Sequence, residues 1–233
     1  MKQIDFSEFE KKIGIKFKDK NLLRQAFTHR SFLNENPKSG FFHNERLEFL
    51  GDAVLELAVT LYLFKEFPEK PEGDLTAYRS ALVNTNTLSR AAQEVGMNDF
   101  LLLSKGEARD TGRARQYILA NTFEATVGAL YLDSGYAVAE KFIAQNLYYR
   151  LETVLKKRLW QDSKSYFQEK AQELVGITPS YKLLREAGPD HDKKFTVGVY
   201  IKSEFVAEGD GKSKQEAEQS AARNALELKK WLD

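Results

Sequence analysis

The feature that most constrains this chain is a change in the period of its apolar residues near position 157. Up to that point the apolar positions recur at three- and four-residue steps. Leu47, Leu50, Val54, Leu57 and Leu61 lie on one stripe of a long helix. Leu75, Tyr78 and Leu82, then Leu88, Ala91, Ala92 and Val95, continue the pattern up to Gly96. A further helical run covers about 114–132 and meets a glycine stop at Asp133-Ser134-Gly135. Residues 138–155 read as one more amphipathic helix. No stretch alternates with period two, so residues 1–157 are predicted to form an all-α domain. The polar run around residues 158–161 is a candidate linker. Beyond it, Asp162 and Ser163 offer a cap for a helix through 173. Extended segments follow at 181–184, 195–201 and 204–209, with a tight turn near Lys202-Ser203, and an alanine-rich helix covers 214–231. The order α-β-β-β-α over 162–233 predicts a small α+β domain.

Composition narrows the chemistry. The chain has no cysteine, which excludes disulfides, thiolate zinc sites and cysteine nucleophiles. No window approaches the roughly 18–20 apolar residues of a membrane span, and Met1-Lys2-Gln3-Ile4-Asp5-Phe6 is not of signal-peptide type. The expectation is a soluble, cytoplasmic protein with no membrane partner. The net charge is only +1, so an affinity for nucleic acid would have to come from local basic patches.

The densest chemical signal is the run from Asn44 to Leu55. On a helix, Glu45, Glu48 and Asp52 fall at i, i+3 and i+7, which puts three carboxylates on one face. Such a face is either solvated, with Arg46 close by, or the wall of a cation site. Gly51 in mid-helix costs about 1 kcal/mol against alanine, and room for a close neighbour would offset this. Asn121 and Glu124 share one face of a second helix. Hard cations such as Mg²⁺ take oxygen ligands of this kind.

Glu45-Arg46-Leu47-Glu48-Phe49-Leu50-Gly51-Asp52-Ala53-Val54-Leu55 resembles the defining motif of the bacterial ribonuclease III family. Further likenesses follow in order: Phe27-Thr28-His29-Arg30-Ser31-Phe32, Glu72-Gly73-Asp74, Arg79-Ser80-Ala81-Leu82-Val83-Asn84, Leu103-Ser104-Lys105-Gly106-Glu107 and Ile118-Leu119-Ala120-Asn121-Thr122-Phe123-Glu124. The resemblance implies the family's all-α endonuclease fold and a homodimer that hydrolyses double-stranded RNA. It makes Glu48, Asp52 and Glu124 metal-site carboxylates, with Asp52 and Glu124 catalytic and Glu124 the most essential. Asn121 occupies a metal position where the family most often has Asp; its amide oxygen can still ligate, without the charge. Glu45 and Glu72 would contact RNA in the catalytic valley. Phe49 would pack across the dimer interface, although an ordinary core aromatic is an equally good reading of the residue alone. His29 reads as a hydrogen-bonded structural residue, and no histidine general base is favoured. The chemistry implied uses two Mg²⁺ ions roughly 3.5–4 Å apart, with Mn²⁺ as a substitute. Each subunit would cut one strand, leaving 5′-phosphate and 3′-hydroxyl ends with short 3′ overhangs. Ribosomal-RNA precursors and structured messenger RNAs are the expected substrates.

Residues 162–233 resemble a double-stranded-RNA-binding domain at three places. Gln168 and Glu169 on the first helix would reach a minor groove and its 2′-hydroxyls. His191, in the loop after Gly188-Pro189, would enter the next minor groove. Lys212 and Lys214, at the start of the last helix, would meet phosphates of the intervening major groove. The acidic Gln215-Glu216 pair suggests modest affinity. The alternative function is a non-cleaving, duplex-binding dimer, and Asn121 is the only residue that favours it.

Overall fold

The computed structural model describes residues 4–156, 158, 160–189 and 193–231. Backbone contacts gather into two units, Met1–Trp160 and Gln161–Asp233. The first is helical: α1 (Ser7–Ile13), α2 (Lys20–Ala26), α3 (Arg30–Glu35), α4 (Glu45–Glu66), α5 (Glu72–Val83), α6 (Thr85–Glu94), α7 (Lys105–Arg109), α8 (Arg113–Ser134), α9 (Tyr136–Leu147) and α10 (Leu151–Lys156). Helix starts are set by side-chain caps. Asp19 accepts from the Asn21 amide, Asn84 from Thr87 and Ser104 from Glu107, each satisfying an otherwise unpaired N–H.

The centre of this unit is the pair α4 and α8, which press together at two glycines. A Cβ placed on Gly51 would lie 1.8 Å from the Glu124 carbonyl oxygen, and one on Gly128 would lie 2.2 Å from the Leu47 carbonyl oxygen. The mid-helix glycine therefore serves the close backbone approach that the sequence suggested. Around this crossing, Leu55, Val59, Leu63, Leu119, Phe123, Val127 and Phe142 are fully buried. A separate knot of Phe9, Phe27 and Phe100 rings packs edge to face.

Two local expectations need correction. Leu57 and Leu61 share the apolar stripe of α4 by spacing, yet they are 51% and 39% exposed. The buried face runs instead through Leu47, Gly51, Val54, Leu55, Ala58, Val59 and Leu63, because α8 sits over the glycine. The single helix expected over 138–155 is interrupted by a 3₁₀ turn, Tyr148–Arg150. There the Tyr148 hydroxyl donates to the Ala58 carbonyl and its ring stacks on Tyr62, while Arg150 is drawn to Glu94. These side-chain demands outweigh the continuation of the helix.

The second unit has the order α11 (Ser163–Val175), β1 (Ser180–Ala187), β2 (Lys194–Ile201), β3 (Glu204–Gly211) and α12 (Lys214–Lys229). The sheet is antiparallel in the order β1-β2-β3, with Tyr181 opposite Val199 and Val199 opposite Ala207. One sheet face carries Val199, Ile201 and Ala207 into a core with Phe167, Ala221, Ala222, Ala225 and Leu226. The last helix stops short of the expected 231 because Lys230 turns left-handed (φ 56°), which lets the Trp231 ring stack on Phe167. The all-α unit followed by an α-β-β-β-α unit is the fold class read from the sequence. Among the described residues no helix is long and apolar enough to cross a membrane.

Candidate functional site

The α4–α8 crossing that buries Gly51 also collects the acidic residues. Glu48 and Asp52 rise from α4, and Asn121 and Glu124 come from α8, one helical turn apart on the side that faces them. Burial and the charges of Asp52, Glu48 and Glu56 push the Glu124 carboxyl up to about 8. Glu48 is also raised, first by burial and then by Glu45 and Asp52, while a hydrogen bond from Asn121 pulls it the other way. The Asn121 amide thus favours the ionised form of Glu48, whereas a second carboxylate at that position would add like charge. Glu56 escaped the sequence reading, although it lies at i+4 from Asp52 on the same face, and that spacing was available to find it.

Glu45 stands at the N-terminal edge of the cluster, with Arg30 on one side and His43, which makes no hydrogen bond to it, on the other. Arg30 lies 3.4 Å from one of its carboxylate oxygens and His43 3.7 Å from the other. His29 does not join this pair: its Nδ1 hydrogen-bonds Ser31 at 2.8 Å, and burial lowers its pKa, in keeping with a structural residue. Glu72 begins α5 and accepts from the Thr76 hydroxyl at 2.9 Å; its charge does not figure in the shifts of Glu48 or Glu124.

The donor set suits a hard divalent cation. It is all oxygen, it is concentrated on two helices, and a bound cation would favour the ionised form of the carboxyls that burial and mutual repulsion now push toward protonation. Among the described residues no three His, Cys, Asp or Glu side chains are arranged closely enough to hold a metal ion.

A stability test follows from Glu124. Its carboxyl is raised from 4.5 to about 8, so the folded unit holds a proton that the unfolded chain has lost in that window. The stability this contributes is full below the unfolded value and is lost as pH rises toward 8. The thermal midpoint in EDTA is therefore expected to fall between about pH 5 and about pH 8 through a contribution on the order of a few kcal/mol, which Glu124→Gln removes. An identical fall in that variant would show that another group is responsible.

In the second unit, Gln168 and Glu169 are exposed on α11, beside Ser165, Gln172 and Glu173. Lys212 and Lys214 flank Ser213, the N-cap of α12, whose hydroxyl accepts from the Glu216 amide. The Glu216 carboxylate in turn accepts from the Lys212 amide at 2.8 Å, a capping-box arrangement. Glu216 is thereby occupied in starting the helix. His191 lies outside the described residues.

Comparison with known proteins agrees with these features. A family model described as Ribonuclease-III-like matches residues 19–151, and the Double-stranded RNA binding motif matches 163–229. Ribonuclease 3 of Pelotomaculum thermopropionicum is 46% identical over 215 residues, covering 92% of this chain and 89% of the relative. Ribonuclease 3 of Nitratiruptor is 42% identical over 230 residues, covering 99% and 98%. The nuclease domain of ribonuclease III from Campylobacter jejuni superposes with a TM-score of 0.55 at 40% identity, covering 61% of this chain and 98% of that domain. Identity at this level over almost the full length sets aside the non-cleaving scaffold. The chain belongs to the ribonuclease III family and is a double-strand-specific endoribonuclease that carries its own double-stranded-RNA-binding domain.

Proposed function

We propose that this endoribonuclease cuts duplex RNA at the α4–α8 crossing, with Glu48, Asp52 and Glu124 as the carboxylates that hold Mg²⁺ and Asn121 beside them. The observation that carries this reading is the position of Glu124, drawn out of solvent and surrounded by the charges of Asp52, Glu48 and Glu56. Two Mg²⁺ ions per site, with Mn²⁺ as a substitute, would supply Lewis-acid activation of water and stabilisation of the leaving 3′-oxygen. The residues provide the rest. Glu124 must give up its proton to serve as a ligand, so ion binding competes with protonation below its raised pKa. Asp52 shares that charge, and Asn121 holds Glu48 in place without adding a further negative group. Glu45, paired with Arg30, and Glu72 are proposed to accept from ribose hydroxyls along the duplex.

The functional division would be a nuclease domain over 1–157, a linker over 158–161 and an RNA-binding domain over 162–233. In the latter, Gln168, Glu169 and His191 would read the minor groove, and Lys212 and Lys214 the phosphates. We place the activity in the cytoplasm, on ribosomal-RNA precursors and structured messenger RNAs. Digestion of a long perfect RNA duplex with Mg²⁺, with Mn²⁺ and with EDTA tests the chemistry. Mapping of the products should give 5′-phosphates, 3′-hydroxyls and short 3′ overhangs in both metals and no cutting in EDTA. Products ending in 2′,3′-cyclic phosphate, or cutting in EDTA, would contradict it.

A homodimer explains the outer face of α4. Phe49, Leu57 and Phe64 are 82%, 51% and 68% exposed, and their spacings of eight and seven residues align them along one side of the helix. The exposure of Phe49 removes the core reading within a single chain. A second copy seated on this stripe would bury it, and Phe49→Arg is expected to weaken dimerisation by about 30-fold or more. Sedimentation equilibrium reads the result; a dimer as tight as wild type would dismiss this face as the interface.

A further inference from the structure

Beside the N-terminus of α12, the rim of the sheet forms a groove of about 420 Å³ that the residues singled out for RNA binding only border. Arg185 of β1, Lys194 of β2 and Lys212 line it, together with Thr196, Asp210 and Glu216. The strand register explains their meeting. Arg185 is paired with Thr196 and Thr196 with Asp210, so the three sit in one row across the sheet, on the face opposite the Val197 and Val199 core side. Lys194 follows one step along, opposite Ala187.

The three cations and the two carboxylates of this groove are not equivalent. Asp210 accepts the Thr196 hydroxyl at 2.6 Å, and Glu216 accepts the Lys212 amide at 2.8 Å. Among the described residues Arg185, Lys194 and the Lys212 ammonium have no ion-pair partner, whereas neighbouring Lys193 is paired with Glu186 at 2.8 Å. Cations left unpaired around a concave surface suit an anion, and a planar guanidinium matches a phosphate in particular.

We infer that this groove is an additional phosphate site, in which Arg185 and Lys194 take backbone phosphates of the bound duplex beyond those proposed for Lys212 and Lys214. The inference rests on the RNA-binding reading of that module. Each such contact releases condensed counterions, so its removal lowers the salt dependence of binding as well as the affinity. A change that merely reduced net charge at a distance would not act in this local way.

The test measures duplex affinity of the full chain in EDTA at several salt concentrations, for wild type, Arg185→Gln, Lys194→Gln, Lys214→Gln and Lys202→Gln. Lys202 is an exposed cation in the β2–β3 turn, away from the groove. Arg185→Gln and Lys194→Gln are each expected to reduce the slope of log affinity against log salt by about 1, equally for duplexes of unrelated sequence, and Lys202→Gln to leave it unchanged. Inorganic phosphate at matched ionic strength should compete only weakly, since a duplex engages several contacts together; full competition at millimolar phosphate would mark a free-anion site and overturn the duplex assignment. Wild-type slopes for both groove variants, with a reduced slope for Lys214→Gln, would overturn the groove alone. Unchanged slopes for all variants would overturn the RNA-binding reading of Lys214 as well.

Discussion

Gly51→Ala is expected to be among the most damaging single-methyl additions that this protein can receive. The new carbon would lie 1.8 Å from the Glu124 carbonyl oxygen, 2.6 Å from its carbonyl carbon and 2.9 Å from the Gly128 nitrogen. All three are backbone atoms of a packed helix, so no side-chain rotation relieves the clash, and α4 and α8 must separate. Alanine gains about 1 kcal/mol of helix propensity, but overpacking of this kind costs on the order of 3 kcal/mol or more and wins. For a unit of this size the thermal midpoint should drop by about 5–10 °C. The same separation moves Asp52 away from Glu124, so cleavage should suffer even where the protein remains folded. A midpoint within about 1 °C of wild type would mean that the crossing yields more easily than its backbone contacts imply.

Glu124→Gln should act in the opposite manner, removing chemistry while sparing the fold. The amide is the same size and stays neutral among Asp52, Glu48 and Glu56 without having to take up a proton on folding. Folding stability at neutral pH should therefore hold or rise. Cleavage should fall on the order of 10³-fold, because loss of a carboxylate ligand removes several kcal/mol of stabilisation from the charged transition state. Duplex binding is expected to stay near the wild-type level, since the residues proposed for it in the second unit are untouched. Parallel losses of binding and cleavage would place Glu124 in substrate binding instead.

Much of this architecture could be read from the chain. The switch from helical spacing to alternation separated the two units, and Gly51 amid large apolar neighbours announced a close approach that the α4–α8 crossing bears out. Periodicity, however, reports that a helix has an apolar side without saying what will cover it. The stripe it gives includes Leu57 and Leu61, whereas α8 covers a face rotated toward Gly51 and Ala58. The break at Tyr148 depends on a hydroxyl reaching Ala58, ninety positions earlier in the chain, which no local pattern can reveal. In the site, helical spacing aligned Glu48 with Asp52, and the resemblance to ribonuclease III supplied their proposed roles. Spacing could not disclose that Asn121 offsets part of the rise in Glu48, because that influence crosses between helices. Nor could it show that Arg30 pairs with Glu45, which requires α3 and the start of α4 to meet.

Metal-dependent cutting of duplex RNA at the acidic face of the α4–α8 crossing is tested on one long perfect RNA duplex treated with wild type and with Glu124→Gln, each in Mg²⁺ and in EDTA, with duplex binding followed in the same samples. Short duplex products from wild type in Mg²⁺ alone, and intact but bound RNA in the other three reactions, is the predicted outcome. Comparable cutting by Glu124→Gln in Mg²⁺ would show that the reaction takes place elsewhere in the protein.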